Sequence, residues 1–378
     1  MKKLSILFVM VLVASFAMAQ KTTTLVQSGN SNMADVYQDG NSWNDIFATQ
    51  SGNGNVLTAE QIGFDNYLKA DQSGNNNKIT SSQDGASNIV DSWQDGNGNM
   101  LTSSQLGAYN ELNSEQDGNS NTVKSDQQGL YNKVDADQLG NNNTLKVNQY
   151  GLDNNIDLLQ DGNGNSAKME QLTQDFGITH GYNTATVVQS GKENSANLSQ
   201  METDGDANDG YIDLGWFGSI TISERDRSIN LATATQSGKE NSYKLLQGRQ
   251  TDIPDNTSYL TQSGNENKAD IDQVGYQNWS SITQSGNMNK ADLLQMGNDG
   301  DVALAGTPSD ESYSWQTGKE NKLNVKQTGE VDYQLAESTQ DGMDNKTTIL
   351  QVGYTTQTVN SWQMGSSDFI DVDQVDVE

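Results

Sequence analysis

The chain has 378 residues, room for two or three ordinary domains, yet only 33% are hydrophobic, with 36 glycines, 2 prolines and no cysteine. A formal charge of −29 excludes nucleic acid and anionic lipid as partners held by bulk electrostatics. The missing cysteine excludes a disulfide framework and a cysteine-borne lipid anchor. Composition of this kind belongs to disordered chains unless strict repetition supplies a core by other means.

The first element stands apart from the rest. Lys2 and Lys3, an apolar run from Leu4 to Phe16 and the small-residue pattern Ala17-Met18-Ala19 predict a secretory signal peptide over residues 1–19, cut before Gln20. The run is short for a bilayer span and no second one follows, so export without membrane insertion is the expectation. Losing two lysines and no acid would take the formal charge from −29 to −31.

From Gln27 onward a marker glutamine returns at 38, 50, 61, 72, 83, 94, 105, 116, 127, 138, 149, 160 and 171; twelve of those thirteen steps are 11 residues. The series continues less evenly to Gln374, giving 28 units, 19 of which begin with the full Gln-x-Gly-x-x-Asn. Between the Asn and the next Gln the residues alternate, as in "NYLKADQ" (Asn66–Gln72), "NKVDADQ" (Asn132–Gln138) and "NKADIDQ" (Asn267–Gln273). Asn, Gln and the apolar slots Leu68, Ala70, Val134, Ala136, Ala269 and Ile271 share one parity; Lys, Asp, Thr, Ser and Glu take the other. That is the period of a strand with one buried face. Gly and Asn after each Gln tolerate positive φ and predict a tight turn.

Steps longer than 11 follow Gln38, Gln171, Gln200, Gln247, Gln295, Gln327 and Gln351, which are units 2, 14, 16, 18, 22, 24 and 26. All are even. Insertions that always fall in alternate turns predict an all-β solenoid with two short strands per 22-residue turn, two facing parallel sheets and every extra loop on one edge. The expected organisation is a single repeat region over 20–378, regular over 27–171 and interrupted near 172–182, 201–229, 248–255 and 296–309. Odd turns are hydrophilic ("GNNN", "GKEN"), whereas even turns carry Phe64, Tyr109, Leu130 and Tyr276 and read as the stickier edge.

Stacking at about 4.8 Å would place Gln over Gln and Asn over Asn. A primary amide has donors and acceptors for both neighbours, so each column can bond along its whole length. The residues expected to form this inward ladder are Gln72, Gly74 and Asn77; Gln83, Gly85 and Asn88; Gln94, Gly96 and Asn99; Gln105, Gly107 and Asn110; and Gln116, Gly118 and Asn121. After the interruptions it resumes with Gln189, Gly191 and Asn194; Gln262, Gly264 and Asn267; Gln273, Gly275 and Asn278; and Gln284, Gly286 and Asn289. The tail "SSDFIDVDQVDVE" keeps the alternation through Asp368, Ile370, Val372 and Gln374, with no evident cap.

The pattern Gln-x-Gly-x-x-Asn-x-Ala-x-x-x-Gln, seen in "QSGKENSANLSQ" (Gln189–Gln200) and "QSGNENKADIDQ" (Gln262–Gln273), resembles the curlin repeat of curli amyloid subunits over residues 27–374. The resemblance implies passage through outer-membrane secretion machinery and polymerisation into cell-surface fibres for adhesion and biofilm. Its implied partners are copies of the same chain, joined end to end, and other curlin-repeat subunits. This chain departs from the usual curli subunit in having many more repeats and large insertions, notably 201–229.

No residue set suggests chemistry, so no catalytic residue, metal site or cofactor is expected. His180 is the only histidine and has no cysteine or second histidine to share a metal with. "QDGNGN" at Gln94 and Gln160 lacks the distal glutamate of a calcium loop. The acidic insertion Asp204–Gly210 leaves calcium binding open. Two functional readings stand beside each other: a polymerising fibre subunit, and a monomeric solenoid adhesin that binds a glycan or protein through its loop-bearing edge.

Overall fold

The computed structural model describes residues 21–173, 182–202, 211–213, 219–221, 229–248, 256–275, 278–296, 310–329, 334–353 and 357–375. The expected leader 1–19, His180, Asp204–Gly210 and most of the inserted residues lie outside the described residues.

The regular element is a nine-residue strand such as Tyr67–Asn75 or Lys78–Ala86. Within Tyr67–Asn75 the side chains of Leu68, Ala70 and Gln72 are buried while Tyr67, Lys69 and Asp71 are half-buried on the outside. The alternation follows from the two-residue period of extended backbone. Strand pairing does not stop at the glutamine, where the sequence pattern places the end of the strand. It continues through Gly74 to Asn75, which pairs with Asn97. Only Asn76 and Asn77 lie between one strand and the next. The turn is made by two left-handed residues, Gly74 at φ 100° and Asn76 at φ 57°. Stacking therefore extends into the turn itself.

The described residues fall into two compact units, one within Met1–Tyr150 and Ile156–Gly164, the other within Gly151–Asn155 and Asn165–Glu378. In the first unit, Thr22–Asn30, Asp45–Asn53, Tyr67–Asn75, Ile89–Asn97, Glu111–Asn119 and Lys133–Asn141 pair in that order as one parallel sheet. Met33–Ser42, Val56–Phe64, Lys78–Ala86, Met100–Ala108 and Thr122–Leu130 form the other. Consecutive strands alternate between the two sheets, so each coil contains two strands. A shift of register at Asp39–Ser42 absorbs the one residue added after Gln38.

The second unit repeats the plan. One parallel sheet runs from Tyr182–Lys192 through Ile229–Lys239, Thr257–Asn265, Trp279–Asn287, Asp310–Lys319 and Gln334–Met343 to Gln357–Ser366. The other runs from Ser166–Thr173 through Ser195–Glu202, Ser242–Gly248, Lys268–Val274, Lys290–Met296 and Lys322–Gly329 to Lys346–Gly353 and Phe369–Val375. The long insertion does not disturb the register: Gln189 still pairs with Gln236 and Gln200 with Gln247, 47 residues apart instead of 22. Inside it, Tyr211–Asp213 pairs antiparallel with Ser219–Thr221. The chain is an all-β solenoid with two parallel sheets.

The apolar core is thin. One layer holds the branched residues four positions before each Gln, among them Leu57, Leu68, Ile79, Val90, Leu101, Leu112 and Val123, all fully buried. A second layer two residues before Gln holds small side chains, from Ala48, Ala59 and Ala70 through Ser81, Ser92, Ser103, Ser114 and Ser125 to Ala136. Those five serine hydroxyls meet no hydrogen-bond partner.

Candidate functional site

Strand alternation turns every marker Gln inward, and parallel in-register pairing sets it over its counterpart 22 residues away. In the first unit, Gln50, Gln72, Gln94, Gln116, Gln138 and Gln160 form one column; each Nε2 donates to the next Oε1 at 2.7–2.9 Å. Gln61, Gln83, Gln105, Gln127 and Gln149 form the column of the other sheet, at 2.8–3.0 Å. The same Nε2 also reaches across the interior: Gln72 donates to the Val56 carbonyl at 3.2 Å and Gln83 to the Tyr67 carbonyl at 3.0 Å. Each glutamine thus ties its own column together and fastens the start of the facing strand. In the second unit Gln189, Gln236, Gln262 and Gln284 continue this geometry at 2.7–2.8 Å, as do Gln273 and Gln295 at 2.8 Å.

The asparagines lie at the two edges and combine the expected Asn-to-Asn bonds, such as Asn110 Nδ2 to Asn88 Oδ1 at 3.0 Å and Asn241 Nδ2 to Asn194 Oδ1 at 3.1 Å, with bonds to the backbone. Asn77 Oδ1 accepts from the backbone N–H of Asn99 at 2.9 Å, not from its side chain. Asn77 Nδ2 donates to the Ser73 carbonyl at 2.8 Å, closing its own turn, and to the Gly96 carbonyl at 3.0 Å on the next coil. Asn99 and Asn121 repeat this on the odd edge. On the even edge Asn88 Oδ1 accepts both the backbone N–H and the Nδ2 of Asn110, at 3.1 and 3.0 Å. In the second unit Asn194, Asn241, Asn267 and Asn289 pair through Oδ1 and backbone N–H at 3.1 Å, and Asn278 caps against Val274 at 3.0 Å. The physical reason is reach: at the mouth of a turn the short Asn side chain is surrounded by orphan backbone groups, which must be paired where they are buried.

The signature glycines do more than permit the turn. A Cβ on Gly74 would stand 2.0 Å from the carbonyl oxygen of Gly96, and one on Gly85 would stand 1.9 Å from that of Gly107. Gly96, Gly107, Gly118, Gly191, Gly264 and Gly286 meet the same obstruction from the coil that follows. The residue must lack a side chain because another backbone occupies the space. Gly275 shares the left-handed φ, at 95°. Where Thr173 replaces this glycine, its hydroxyl donates to the Leu152 carbonyl at 3.0 Å and to Asn154 Oδ1 at 2.7 Å.

A further column on the odd edge was missed from the motif. Asn30, Asn53, Asn75, Asn97, Asn119, Asn141 and Asn163 pair Nδ2 to Oδ1 at 2.8–3.1 Å while exposed to solvent. Their 22-residue spacing is visible once alternate units are aligned. Outward side chains stack as well: Tyr109 lies 4.9 Å from Tyr131 with rings 7° from parallel, and Trp279 packs between Tyr259 and Tyr313 at 5.9 and 4.4 Å.

The geometry brings the expected ladder residues together as columns that run from coil to coil. Among the described residues no group of three or more His, Cys, Asp or Glu side chains is placed to hold a metal ion. Among the described residues no helix is long and apolar enough to cross a membrane.

The family model described as "curlin associated repeat" matches residues 110–151 and 264–297. No curated protein matches the chain. The matched stretches share their Gln, Gly and Asn positions with the coils on either side, which pair in register and bury the same amides. The chain thus carries the curlin associated repeat in those two stretches, and the coils around them repeat its positions.

Proposed function

We infer that the chain is a secreted structural subunit that polymerises end to end into an extracellular, curli-like fibre serving adhesion and biofilm matrix. The two curlin associated repeat matches and the solenoid fold both suggest a structural protein. The observation that carries the reading is the state of the two terminal coils. Gln27 and Gln38 are only half-buried at the start, and Ile370, Val372 and Gln374 only half-buried at the end, although their counterparts between are sealed. Among the described residues no cap covers either end, and such open edges are templates for further pairing.

The ends are also complementary. At both ends the ladder bonds are donated toward the C-terminal side, from Gln27 to Gln50 and from Gln38 to Gln61 at the start, and from Gln340 to Gln363 and Gln351 to Gln374 at the finish. The first coil therefore offers amide acceptors and the last offers amide donors. A copy added head to tail would continue both columns, whereas head to head would set like groups against each other. A formal charge of −31 on each copy once residues 1–19 are removed (−29 less Lys2 and Lys3) opposes approach, so acid or added salt is expected to shorten the lag.

The test is to release the purified chain from denaturant and follow it by electron microscopy and fibre diffraction. Fibres with a meridional reflection near about 4.8 Å, appearing sooner when seeds are added, support the reading. A β-rich monomer that ignores seeds overturns it and favours the adhesin.

A further inference from the structure

In-register stacking does to surface charge what it does to the buried amides: it lines up copies of the same residue. Lys268, Lys290, Lys322 and Lys346 are paired strand to strand on the outer face of one sheet of the second unit. Neighbouring strands lie about 4.8 Å apart, so this is a row of ammonium groups at that spacing. Like charges placed directly opposite on paired strands repel. Lys290 has Asp292 beside it, but among the described residues Lys268, Lys322 and Lys346 have no carboxylate at ion-pair distance. Lys268–Val274 and Lys290–Met296 carry Asp270, Asp272 and Asp292 outward beside the column, whereas the outward positions of Lys322–Gly329 and Lys346–Gly353 hold no acid at all. In a chain of formal charge −29 such a face is out of keeping with the rest.

The opposite arrangement occupies the first unit. Asp91, Glu115, Asp117, Asp135, Asp137 and Asp157 are outward residues of Ile89–Asn97, Glu111–Asn119, Lys133–Asn141 and Asn155–Asn163. The only lysine on those four strands is Lys133, which pairs with Glu111 at 3.2 Å, and Lys69 of the preceding strand holds Asp91 at 3.1 Å, which leaves Glu115, Asp117, Asp135, Asp137 and Asp157 to form the face. Partial burial first, and then the neighbouring carboxylates, raise the carboxyls of Asp135 and Asp137 above the ordinary range.

We propose that the lysine column of one copy docks on this acidic face of a second copy, joining solenoids side by side. The two surfaces match in sign. They also match in period, because one inter-strand distance sets both, so ammonium and carboxylate groups meet rung by rung without any adjustment of the backbone. Contact removes two unfavourable like-charge rows at once. The association is lateral and does not depend on growth at the ends.

Salt gives it a signature of its own. At about 0.01 M the screening length is about 30 Å and the whole-molecule repulsion dominates; at about 0.1 M it is about 10 Å and contact pairs prevail; at about 1 M it is about 3 Å and they are lost. End-to-end growth, opposed by net charge, should only gain from salt.

The experiment is sedimentation of the soluble chain across that salt range, with two variants of the full chain. One carries Lys268→Glu, Lys290→Glu, Lys322→Glu and Lys346→Glu; the other carries Glu115→Lys, Asp135→Lys, Asp137→Lys and Asp157→Lys. The natural chain is expected to self-associate most strongly near 0.1 M salt, each variant alone to lose association at least about tenfold, and an equimolar mixture to recover it. A milder set, the same four lysines changed to Gln, should lose association while keeping the natural β spectrum, which separates lost docking from lost folding. Single variants that associate like the natural chain, or a mixture that fails to recover, overturn the proposal. So does a natural chain that stays monomeric at every salt while retaining a polyuronate, since the lysine column would then belong to an acidic polysaccharide.

Discussion

Replacing Gln105 by Leu removes one member of the buried amide column without changing the outer surface. Three bonds are lost: the one Gln105 accepts from Gln83 at 3.0 Å, and those it donates to Gln127 at 2.8 Å and to the Ile89 carbonyl at 2.9 Å. Gln83 keeps the Tyr67 and Asn88 carbonyls as acceptors, but Gln127 Oε1 loses its ladder donor inside a dry interior. An orphaned buried group costs about 1–3 kcal/mol, and leucine offers no hydrogen bond in return. Taking the Gln127 oxygen and part of the loss at Ile89 and Gln83, the local penalty is about 3 kcal/mol. Each 1.4 kcal/mol is a factor of ten, so amide hydrogens of the flanking strands should exchange about a hundredfold faster. Coils of a repeat protein open locally, so exchange read peptide by peptide is preferable to a single unfolding midpoint. The effect should centre on Lys78–Ala86 and Thr122–Leu130, the neighbours in the same sheet, and fade within a few coils. Ser104→Leu, on the exposed face beside it, should change little. If Gln105→Leu exchanges at the natural rate, the amide column is not what holds the coils together and the reasoning fails.

Other expectations follow from the same geometry. Gly96→Ala should break its coil, because the new Cβ would lie 2.0 Å from the Gly118 carbonyl oxygen at φ 107°, whereas Gly98→Ala, with Ser120 Oγ at 3.7 Å, should cost no more than about 1–2 kcal/mol; refolding yield and local exchange compare the two. Ser103→Ala should stabilise by about 1 kcal/mol, because its buried hydroxyl has no partner and other coils hold alanine there, and thermal or exchange measurements would show it. Burial first, then the charges of Asp135, Glu115 and Asp157, push the Asp137 carboxyl up to about 6. A folded value above the ordinary 3.8 means the charged form is disfavoured in the fold, so local stability should rise as pH falls through about 6 and level off below about 4. Asp137→Asn should flatten that dependence, read by exchange around Lys133–Asn141.

Much of the fold was legible because the fold is itself a repetition. The parity of Leu68, Ala70 and Gln72 against Lys69 and Asp71 announces an inward face. The placement of every insertion after an even unit announces two strands per coil, and Gln200 does stack on Gln247 across the longest insertion. What a one-dimensional motif cannot convey is where backbones approach each other. The need for Gly74 reads as turn chemistry until the Gly96 carbonyl is found in the space of its missing Cβ. The asparagines do self-pair, as Asn110 does with Asn88, but the motif does not show that the backbone N–H of Asn99 takes the oxygen of Asn77. The exposed column from Asn30 to Asn163 was in view but required reading every second unit together. The lysine and acid columns needed the same step, since an 11-residue frame mixes the two sheets that a 22-residue frame separates.

The most direct test of end-to-end propagation uses the absence of native cysteine. Head-to-tail continuation places the last strand, Phe369–Val375, beside Met33–Ser42 of the next copy, with Gln374 over Gln38 and hence Asp373 over Tyr37. In-register neighbours about 4.8 Å apart are within reach of a disulfide. Chains carrying Asp373→Cys and chains carrying Tyr37→Cys would be assembled separately and together, oxidised and run without reductant. The account predicts cross-linked pairs only in the mixture, and a long ladder of products when both substitutions are in one chain. Cross-linking of either single variant with itself, or none in the mixture although fibres form, would contradict it.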